Sequence, residues 1–400
     1  MSGPRPVASR HLGIVLFLAV DLAPPGGGQC VGAWALQALL EDWDVTVLCV
    51  NPPDYAALNR HFGTRLEASA CRILQAPWLI RQIARFDRDP HSFQGAAWLI
   101  RRARKLSGQF DLTVSADNEM DLGRRGIQYV HYPYLARHKP QVDAVRRLSR
   151  LQRLGAILAG RYRPWMVLSG ISFDRVVANL TLVNSHWTGR LVSGLYGVQP
   201  TVLYPPVVWS LALTPWSRRA LAFVSLGRIE GCKRQLEAID ILDRVRRRGH
   251  PVQLEIIGDI YDPDYAQRVV ERAGRAGSWV RLHHGIERTE LEKIVNACRY
   301  GLHTMRSEHF GIAVAELLRA GCIVFTPNDG GQVEIIGEEA ALMYDSDDQA
   351  VERICAVLES PPEQQRLLAL LAPRRDLFTE THFMGRLRQL VRDFVQAARA

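Results

Sequence analysis

The chain has 400 residues, a formal net charge of +9 and 47% hydrophobic residues, with ordinary numbers of glycine and proline. This composition excludes collagen-like, coiled-coil and broadly disordered proteins, and the length favours two or three domains of roughly 100–200 residues each. Residues 1–200 hold 24 Lys and Arg against 14 Asp and Glu, and residues 201–400 hold 26 against 27, so the positive charge belongs to the first half.

Short apolar runs alternate with longer segments of helical periodicity along the chain. Predicted strands cover 13–20, 45–50, 112–115, 128–130, 180–184, 222–226, 253–257, 280–283, 300–303 and 323–326. Predicted helices cover 31–40, 234–248, 289–297 and 311–320. Many strands are continuously apolar, as strands covered on both faces are. The alternation predicts an α/β fold with parallel, doubly wound sheets, and the proline-rich stretch 204–215 predicts the boundary between two domains.

The N-terminal apolar run and the cysteines bear on the compartment. The run 12–20 follows Arg5 and Arg10 like a short signal peptide, but it leads into a glycine-rich turn and fits a buried first strand better. No apolar run reaches the ~18–20 residues of a membrane helix. The seven cysteines are dispersed, without C-x-x-C or zinc spacing. They predict reduced thiols, a cytoplasmic location and no metal site.

A glycine-rich loop, P-G-G-G-Q at 25–29, follows the first predicted strand. Gly26, Gly27 and Gly28 permit close backbone approach and positive φ, so the loop could cradle a phosphate or a sugar. Val31 stands where a dinucleotide fingerprint needs its third glycine, and no G-K-[ST] follows, so neither a dehydrogenase nor a Walker loop is indicated.

His131 ends the predicted strand before the sequence Y-P-Y. Its imidazole could hydrogen-bond a sugar hydroxyl, since a strand end is a common place for ligand contacts. A lone histidine is also a frequent structural residue, and the sequence around it leaves both interpretations open.

Arg228 and Lys233 lie in the loop G-R-I-E-G-C-K at 227–233, between a predicted strand and a helix. Open α/β sheets bind ligands at such strand ends. A guanidinium fork and an ammonium charge would together neutralise a diphosphate. The alternative is a solvated basic loop.

The stretch S-E-H-F-G-I-A-V-A-E at 307–316 joins another strand to a helix. The N–H groups around Gly311 and the partial positive charge of a helix N-terminus form an anion site. Glu308 before the helix and Glu316 within it could accept hydrogen bonds from hydroxyls at two ends of one ligand. The alternative is two ordinary surface glutamates.

The sequence N-D-G-G-Q-V-E at 328–334 follows the predicted strand 323–326. Its paired glycines could offer backbone donors before a helix. Asp-Gly is equally typical of a plain turn.

Together these motifs resemble family 4 of the retaining glycosyltransferases, which have the GT-B fold of two Rossmann-like domains facing a central cleft. The likeness covers nearly the whole chain and is strongest from 223 to 334. There the chain reads S-L-G-R-I-E-G-C-K, L-E-I-I-G-D, E-H-F-G-I-A-V-A-E-L-L-R-A-G-C and P-N-D-G-G-Q-V-E-I-I. The resemblance implies an acceptor-side domain at 1–205 and a donor-binding domain at 206–400, with the last helix either staying there or returning to the first domain.

The resemblance implies a role for each matched residue. Arg228 and Lys233 would hold the donor diphosphate. Glu308 and His131 would be the catalytic residues at the donor sugar, and Glu316 would bind the ribose. Backbone groups would approach the sugar and the diphosphate at Gly27, Gly28, Phe310, Gly311 and Ile312.

Within the family, Y-V-H-Y-P at 129–133, V-N-S-H-W-T at 183–188 and L-Y-P-P at 203–206 are similar to mannosyltransferases that extend lipid-linked oligosaccharides. P-G-G-x-Q is similar to phosphatidylinositol mannosyltransferases. Both similarities imply GDP-mannose as donor substrate, with UDP-sugars and other GDP-sugars as alternatives, and a glycan, lipid-linked or natural-product acceptor. His309 stands where the family often has a small residue. No D-x-D signal is placed to hold the diphosphate, so we expect neither a metal nor a cofactor.

Two other functions use the same two-domain plan: a sugar-nucleotide isomerase or hydrolase, and a non-catalytic binding protein. The intact set Arg228, Lys233, Glu308 and Glu316 argues against the binding protein.

The basic first half suggests peripheral contact with the inner face of an anionic membrane. Arginines alternate with apolar residues in one segment, namely Arg146, Arg147, Leu148, Arg150, Leu151, Arg153, Leu154, Ile157, Arg161, Arg163 and Trp165. Residues 98–105 add further basic side chains. The alternative is a solvated helix face, and no nucleic-acid module is recognisable.

Overall fold

The computed structural model describes residues 12–24, 26–86, 94–159 and 163–399. The predicted tail at 1–10, Pro25 of the glycine loop and Arg161 of the basic segment lie outside these ranges. The chain divides into two compact units. Unit 1 comprises Met1–Asn184, Thr188–Pro206 and Phe383–Ala400, and unit 2 comprises Ser185–Trp187 and Val207–His382.

Unit 1 contains a parallel sheet of seven strands in the order β3-β2-β1-β4-β5-β6-β7. Its strands are β1 Ile14–Ala19, β2 Asp44–Cys49, β3 Arg72–Gln75, β4 Leu112–Ser115, β5 Ile127–Val130, β6 Leu180–Val183 and β7 Thr201–Val202. Its helices are α1 Gly27–Leu40, α2 Tyr55–Phe62, α3 Trp78–Phe86, α4 Gln94–Leu106, α5 Lys139–Arg146, α6 Arg150–Leu158, α7 Pro164–Ser169, α8 Phe173–Val177 and α9 His186–Tyr196, whose first two residues belong to unit 2.

Unit 2 contains a parallel sheet of six strands in the order β10-β9-β8-β11-β12-β13. Its strands are β8 Ala220–Leu226, β9 Gln253–Ile257, β10 Val280–His283, β11 Cys298–Leu302, β12 Ile323–Pro327 and β13 Met343–Tyr344. Its helices are α10 Gln235–Arg247, α11 Pro263–Ala276, α12 Arg288–Ala297, α13 Ile312–Arg319, α14 Gln332–Ile335, α15 Asp347–Glu359 and α16 Pro361–Leu371. Helix α17, Glu380–Arg399, begins in unit 2, and its residues from Phe383 onward belong to unit 1.

The central strands are buried on both faces, which is why they are continuously apolar in sequence. Residues 15–19 of β1 have no exposed surface, and Phe223 and Val224 of β8 have none either. The predicted α/β fold with doubly wound parallel sheets is confirmed. Three short edge strands, β3, β7 and β13, are absent from the predicted set, because edge strands need less apolar sequence than central ones.

The strand order of each sheet fixes where a ligand site can form. Chain order reverses between β1 and β4 in unit 1, and between β8 and β11 in unit 2. At such a point the loops after the two neighbouring strands diverge and leave a crevice at the carboxyl edge. In unit 2 these are the loops that contain Lys233 and Glu308.

Candidate active site

The central feature of unit 2 is an ion pair between Lys233 and Glu308. Lys233 Nζ lies 2.6 Å from Glu308 Oε2, and the two side chains are only 18% and 16% exposed. Lys233 belongs to the loop after β8 and Glu308 to the loop after β11. The fold therefore brings together two residues that are 75 positions apart in the sequence.

Thr304 fixes the loop that contains Lys233. Its buried hydroxyl lies 2.8 Å from the carbonyl oxygen of Lys233 and 3.0 Å from that of Arg234. Arg234 has a left-handed conformation, with φ 56°, at the start of α10. The loop thus turns back toward the end of β11, which places the Lys233 side chain beside Glu308.

The glycine pair of N-D-G-G holds the Glu308 loop. Gly331 N–H donates to the Glu308 carbonyl at 2.7 Å. A Cβ on Gly330 would lie 2.5 Å from the Glu308 carbonyl oxygen, and one on Gly331 would lie 2.3 Å from that of His309. Gly330 also has φ +92°. The absence of a side chain at these two glycines therefore leaves room for the backbone of residues 308–309. The sequence analysis did not indicate this role.

The carboxylate of Glu308 sits in an unusual electrostatic setting. Burial, the largest effect, would raise its pKa, but the charge of Lys233 and the neighbouring His303, together with other contacts, outweigh burial and lower it. His303 Nε2 lies 3.7 Å from Glu308 Oε2. Burial lowers the pKa of His303 to about 4, so this histidine is neutral at pH 7. Glu308 is therefore ionised and held by a cation that a ligand could share.

Helix α13 presents its N-terminus next to this pair. Gly311 is its N-cap, with φ 103°, a conformation that favours glycine. The Phe310 side chain is buried and packs 5.8 Å from the ring of Phe378, measured between centroids. Only the backbone of Phe310 can therefore face a ligand, and with Gly311 and Ile312 it forms the helix end suited to an anion.

Glu316 lies within α13 and forms an ion pair with Arg288, the first residue of α12. Arg288 also contacts the Glu292 carboxylate at 3.1 Å and donates to the Val208 carbonyl at 2.7 Å. Its guanidinium lies over the Trp209 ring, 5.9 Å from the centroid. Arg288 thus fixes the position of Glu316, the residue predicted to bind the ribose. The sequence analysis did not identify Arg288, because nothing in the sequence around Arg288 indicates this contact.

Arg228 does not share an ion pair with Glu308 in this structure. Its guanidinium contacts Glu230 at 2.8 Å and lies over the Tyr261 ring, 4.5 Å from the centroid. The side chain is 53% exposed. The Arg228 side chain is therefore held by contacts next to the loop that also contains Lys233, and it is exposed enough to bind a ligand.

His309, the predicted departure from the family pattern, packs against an aromatic ring. Its imidazole is stacked on Trp187 of the same unit, with centroids 5.9 Å apart and planes at 16°. The Ser185 hydroxyl donates to the His309 carbonyl at 2.6 Å. Burial lowers the pKa of His309. The residue is a neutral, packed side chain adjacent to Glu308.

Gly27 and Gly28 of unit 1 differ from the sequence expectation. Both are the first residues of α1, which begins four residues earlier than predicted. Neither they nor Gly26, whose backbone is extended, has a left-handed φ, so the loop does not use the left-handed conformation that glycine permits. They offer the N-terminus of a helix, which still allows close backbone approach to an anion.

His131 lies against Gly28. A Cβ on Gly28 would be 3.5 Å from His131 Nε2. That nitrogen lies 2.9 Å from the Ala116 carbonyl, and the His131 backbone N–H donates to Asn118 Oδ1 at 2.7 Å. The structure therefore brings together two of the predicted unit 1 residues and fixes the imidazole by its own contacts.

The basic segment forms three helices rather than one amphipathic stretch. Trp165 is buried in the core of unit 1, so including it in the membrane-facing stripe was wrong. In α6, however, Leu151, Leu154 and Leu158 are 83%, 56% and 80% exposed and lie on one face. No helix in the described ranges is both long and apolar enough to cross a bilayer.

Comparisons with known proteins agree with this geometry. Residues 216–369 match the family model of glycosyl transferases group 1. The GDP-Man:Man(3)GlcNAc(2)-PP-Dol alpha-1,2-mannosyltransferase of Mus musculus is 25% identical over 272 residues, covering 61% of this chain and 55% of the relative. The chain spans about half the length of the curated relatives it matches.

Solved structures show the fold. Sucrose-phosphate synthase of Thermosynechococcus elongatus has a TM-score of 0.65 at 14% identity, covering 96% of this chain and 99% of that one. The Anabaena protein HepE, in complex with UDP and glucose, has a TM-score of 0.61 at 15% identity, covering 95% and 100%. The predicted GT-B fold is confirmed, as is the resemblance to glycosyltransferases.

Proposed function

Because residues 216–369 match the family model of glycosyl transferases group 1, we propose that this chain is a retaining glycosyltransferase. It moves a hexosyl group from a nucleotide diphosphate sugar to an acceptor hydroxyl. The observation that carries the proposal is the Lys233–Glu308 pair beside the N-terminus of α13. A cation, a carboxylate and a helix end are the groups needed to hold a diphosphate and a sugar side by side.

Each group has a part in the reaction. Lys233 and Arg228 bind the diphosphate, and the N–H groups at Phe310, Gly311 and Ile312 complete its cradle. Cleavage of the sugar–phosphate bond builds negative charge on the leaving diphosphate, and these groups stabilise that charge where it develops. Glu308 accepts hydrogen bonds from the donor sugar. The acceptor oxygen then bonds to the anomeric carbon on the face that the diphosphate leaves, and the acceptor's hydroxyl proton passes to the departing diphosphate oxygen.

Further residues complete the donor site. Glu316, fixed by Arg288, accepts hydrogen bonds from the ribose hydroxyls. For Gly27, Gly28 and His131 of unit 1, the proposal keeps the donor-binding roles that the family resemblance implies. No metal or resident cofactor takes part in this scheme, since Lys233, Arg228 and the helix end supply the positive charge.

The donor is GDP-mannose. This identification is supported by the named activity of the Mus musculus relative and by the mannosyltransferase-like sequences at 129–133 and 183–188. A UDP-sugar is the alternative, because His309, which follows Glu308 in the chain and stacks on Trp187, stands where the family often has a small residue.

The acceptor is a lipid-linked glycan, and the chain works at an anionic membrane surface. The name of the Mus musculus relative gives Man(3)GlcNAc(2)-PP-Dol as the molecule that this enzyme acts on. The exposed apolar face of α6, with Arg153 on the same helix, is the kind of surface that enters a lipid interface.

A sugar-nucleotide isomerase or hydrolase is the second candidate function. It would use the same donor site without an acceptor. Product analysis with and without acceptor separates the two, because a transferase forms a new glycoside only when the acceptor is present.

A thermal-shift panel tests the donor site. GDP, UDP, TDP, ADP and their sugars are added to the wild-type chain and to Lys233→Ala. We expect GDP and GDP-mannose to raise the melting temperature most, because a ligand that binds the native state stabilises it. The Lys233→Ala variant should lose most of that shift. If no nucleotide shifts the wild type, the proposal is wrong.

A further inference from the structure

Unit 1 contains a cavity of about 520 Å³ that the donor site does not use. It lies at the carboxyl edge of the sheet, since Asp21 follows β1 and Asn51 follows β2. Helix α3 forms its other wall. The residues that line it include Asp21, Asn51, Trp78, Arg81, Gln82 and Arg85. Ligands of open α/β sheets bind at this edge.

Helix α3 turns toward the cavity one face that holds three polar side chains and one tryptophan. Trp78, Arg81, Gln82 and Arg85 are spaced by three, four and seven residues, which places them on one side of the helix. The buried Arg81 Nε has no hydrogen-bond partner among the residues that the structure describes. An unsatisfied donor of a charged group is costly to bury, so the arrangement favours an anionic ligand that accepts from it.

The opposite wall suits hydroxyl groups. Asp21 and Asn51 supply carboxylate and amide oxygens, which accept hydrogen bonds from sugar hydroxyls, and the amide also donates. Burial raises the pKa of Asp21. Two guanidinium groups on one wall and two oxygen-bearing side chains on the other match a sugar that carries a phosphate.

The outer face of α3 is apolar. Leu79 and Ile83 are 61% and 43% exposed and lie four residues apart on the same face, and Trp78, which lines the cavity, is 65% exposed beside them. Apolar side chains this exposed on a short helix mark a surface that meets lipid or another apolar partner. Here the exposed apolar side chains lie beside a cavity lined by two arginines. An amphiphile with an anionic head group could contact both surfaces at once.

We propose that this cavity is an acceptor subsite for the phosphate-linked sugar of a lipid-linked acceptor. Arg81 and Arg85 bind the phosphate, Asp21 and Asn51 bind the sugar, and Leu79 and Ile83 contact the lipid chain. The subsite's part in catalysis rests on the proposed function, whereas its binding of the head group does not.

Vesicle binding tests the subsite without any donor. Phosphatidylcholine vesicles that contain polyprenyl diphosphate are compared with vesicles that contain phosphatidylglycerol at matched charge. The wild-type chain should bind the diphosphate vesicles at least about tenfold more tightly, the order of effect of one charge-assisted hydrogen bond. The double variant Arg81→Gln, Arg85→Gln should lose this preference. The double variant Arg60→Gln, Arg65→Gln, a charge-matched control at two exposed positions outside the cavity, should keep it.

A single variant and a competition experiment complete the test. Arg85→Gln alone changes an exposed side chain and should weaken the preference without lowering the melting temperature. Inorganic pyrophosphate should compete weakly, because it lacks the lipid chain. Equal binding to both kinds of vesicle, full preference in the Arg81→Gln, Arg85→Gln double variant, or pyrophosphate binding as tight as vesicle binding would overturn the proposal. Nucleotide binding at Lys233 is measured separately, so failure of the proposed function leaves the vesicle result interpretable.

Discussion

Lys233 Nζ lies 2.6 Å from Glu308 Oε2 at the point where the strand order of unit 2 reverses. The contact joins the two loops whose sequences most resemble a donor site. Both side chains are largely buried, so the pair constrains both loops, and removal of one partner would leave the other charge buried without compensation. In the proposed donor site, the Lys233 cation of this pair would neutralise the diphosphate.

Replacing Lys233 should lower turnover even in the fraction of the protein that stays folded, and it should also cost some stability because Glu308 loses its cation. We expect Lys233→Ala to lower kcat by ~10²–10³, the usual effect of removing one donor that stabilises developing charge. Steady-state assays with GDP-mannose would measure it. Arg234→Ala, which removes the neighbouring cation, is the control and should retain most activity. Equal losses in both variants would mean that general charge, rather than Lys233, matters.

Adding a methyl group at Gly331 should displace the Glu308 loop. The Gly331→Ala Cβ would lie 2.3 Å from the His309 carbonyl oxygen, so the backbone must move. We expect a loss of roughly 1–3 kcal/mol in the free energy of unfolding, and a large loss of activity. Gly274→Ala in α11 is the control, because its Cβ meets no atom within 4 Å. An active, stable Gly331→Ala would contradict this account of the glycine pair.

Arg288 should act through Glu316 on recognition of the ribose. Arg288→Met leaves two carboxylates without their cation and should cost on the order of 2 kcal/mol of stability, at the low side because Arg288 is partly exposed. Calorimetry would compare GDP with 2′,3′-dideoxy-GDP. The wild type should prefer GDP, and the variant should lose that preference while still binding both. An unchanged preference would separate Arg288 from the ribose.

His303 should make stability depend on pH. Its pKa in the folded protein, about 4, lies below the ordinary histidine value of 6.5, so the unfolded chain binds more protons between these pH values. Stability therefore falls as pH drops from about 6.5 toward 4, by up to roughly 3 kcal/mol. Melting temperatures of the wild type and His303→Gln from pH 7 to pH 4.5 would show it. The melting temperature of the wild type should fall more over this pH range than that of the variant. Equal falls in both proteins would show that His303 does not cause the pH dependence.

The exposed face of α6 should govern binding to anionic membranes. The double variant Leu151→Ser, Leu158→Ser should bind phosphatidylglycerol vesicles more weakly, because it removes the two most exposed apolar side chains of that face. Binding of the wild type should also weaken with salt, as interactions between exposed charges do. Sedimentation with vesicles measures both effects. Salt-independent binding, or unchanged binding of the variant, would count against this surface.

Sequence patterns predicted the central strands because strands covered on both faces need continuous apolar residues. They predicted the motifs at 228–233 and 307–316 because the chemistry of those loops is local. Arg288 and the role of Gly331 escaped, since each acts through a distant partner that only the tertiary structure supplies. The prediction that Trp165 belongs to the membrane-facing segment was wrong, because an alternation of arginines and apolar residues does not show where one helix ends and the next begins.

The most direct test of the account is transfer of labelled mannose from GDP-mannose to a lipid-linked glycan. The wild-type chain should form a product with the anomeric configuration of the donor retained. Glu308→Ala and Lys233→Ala should each lose nearly all of that transfer while keeping the fold, as judged by circular dichroism and melting temperature. Full transfer by both variants would contradict the central claim that the Lys233–Glu308 pair forms the donor site.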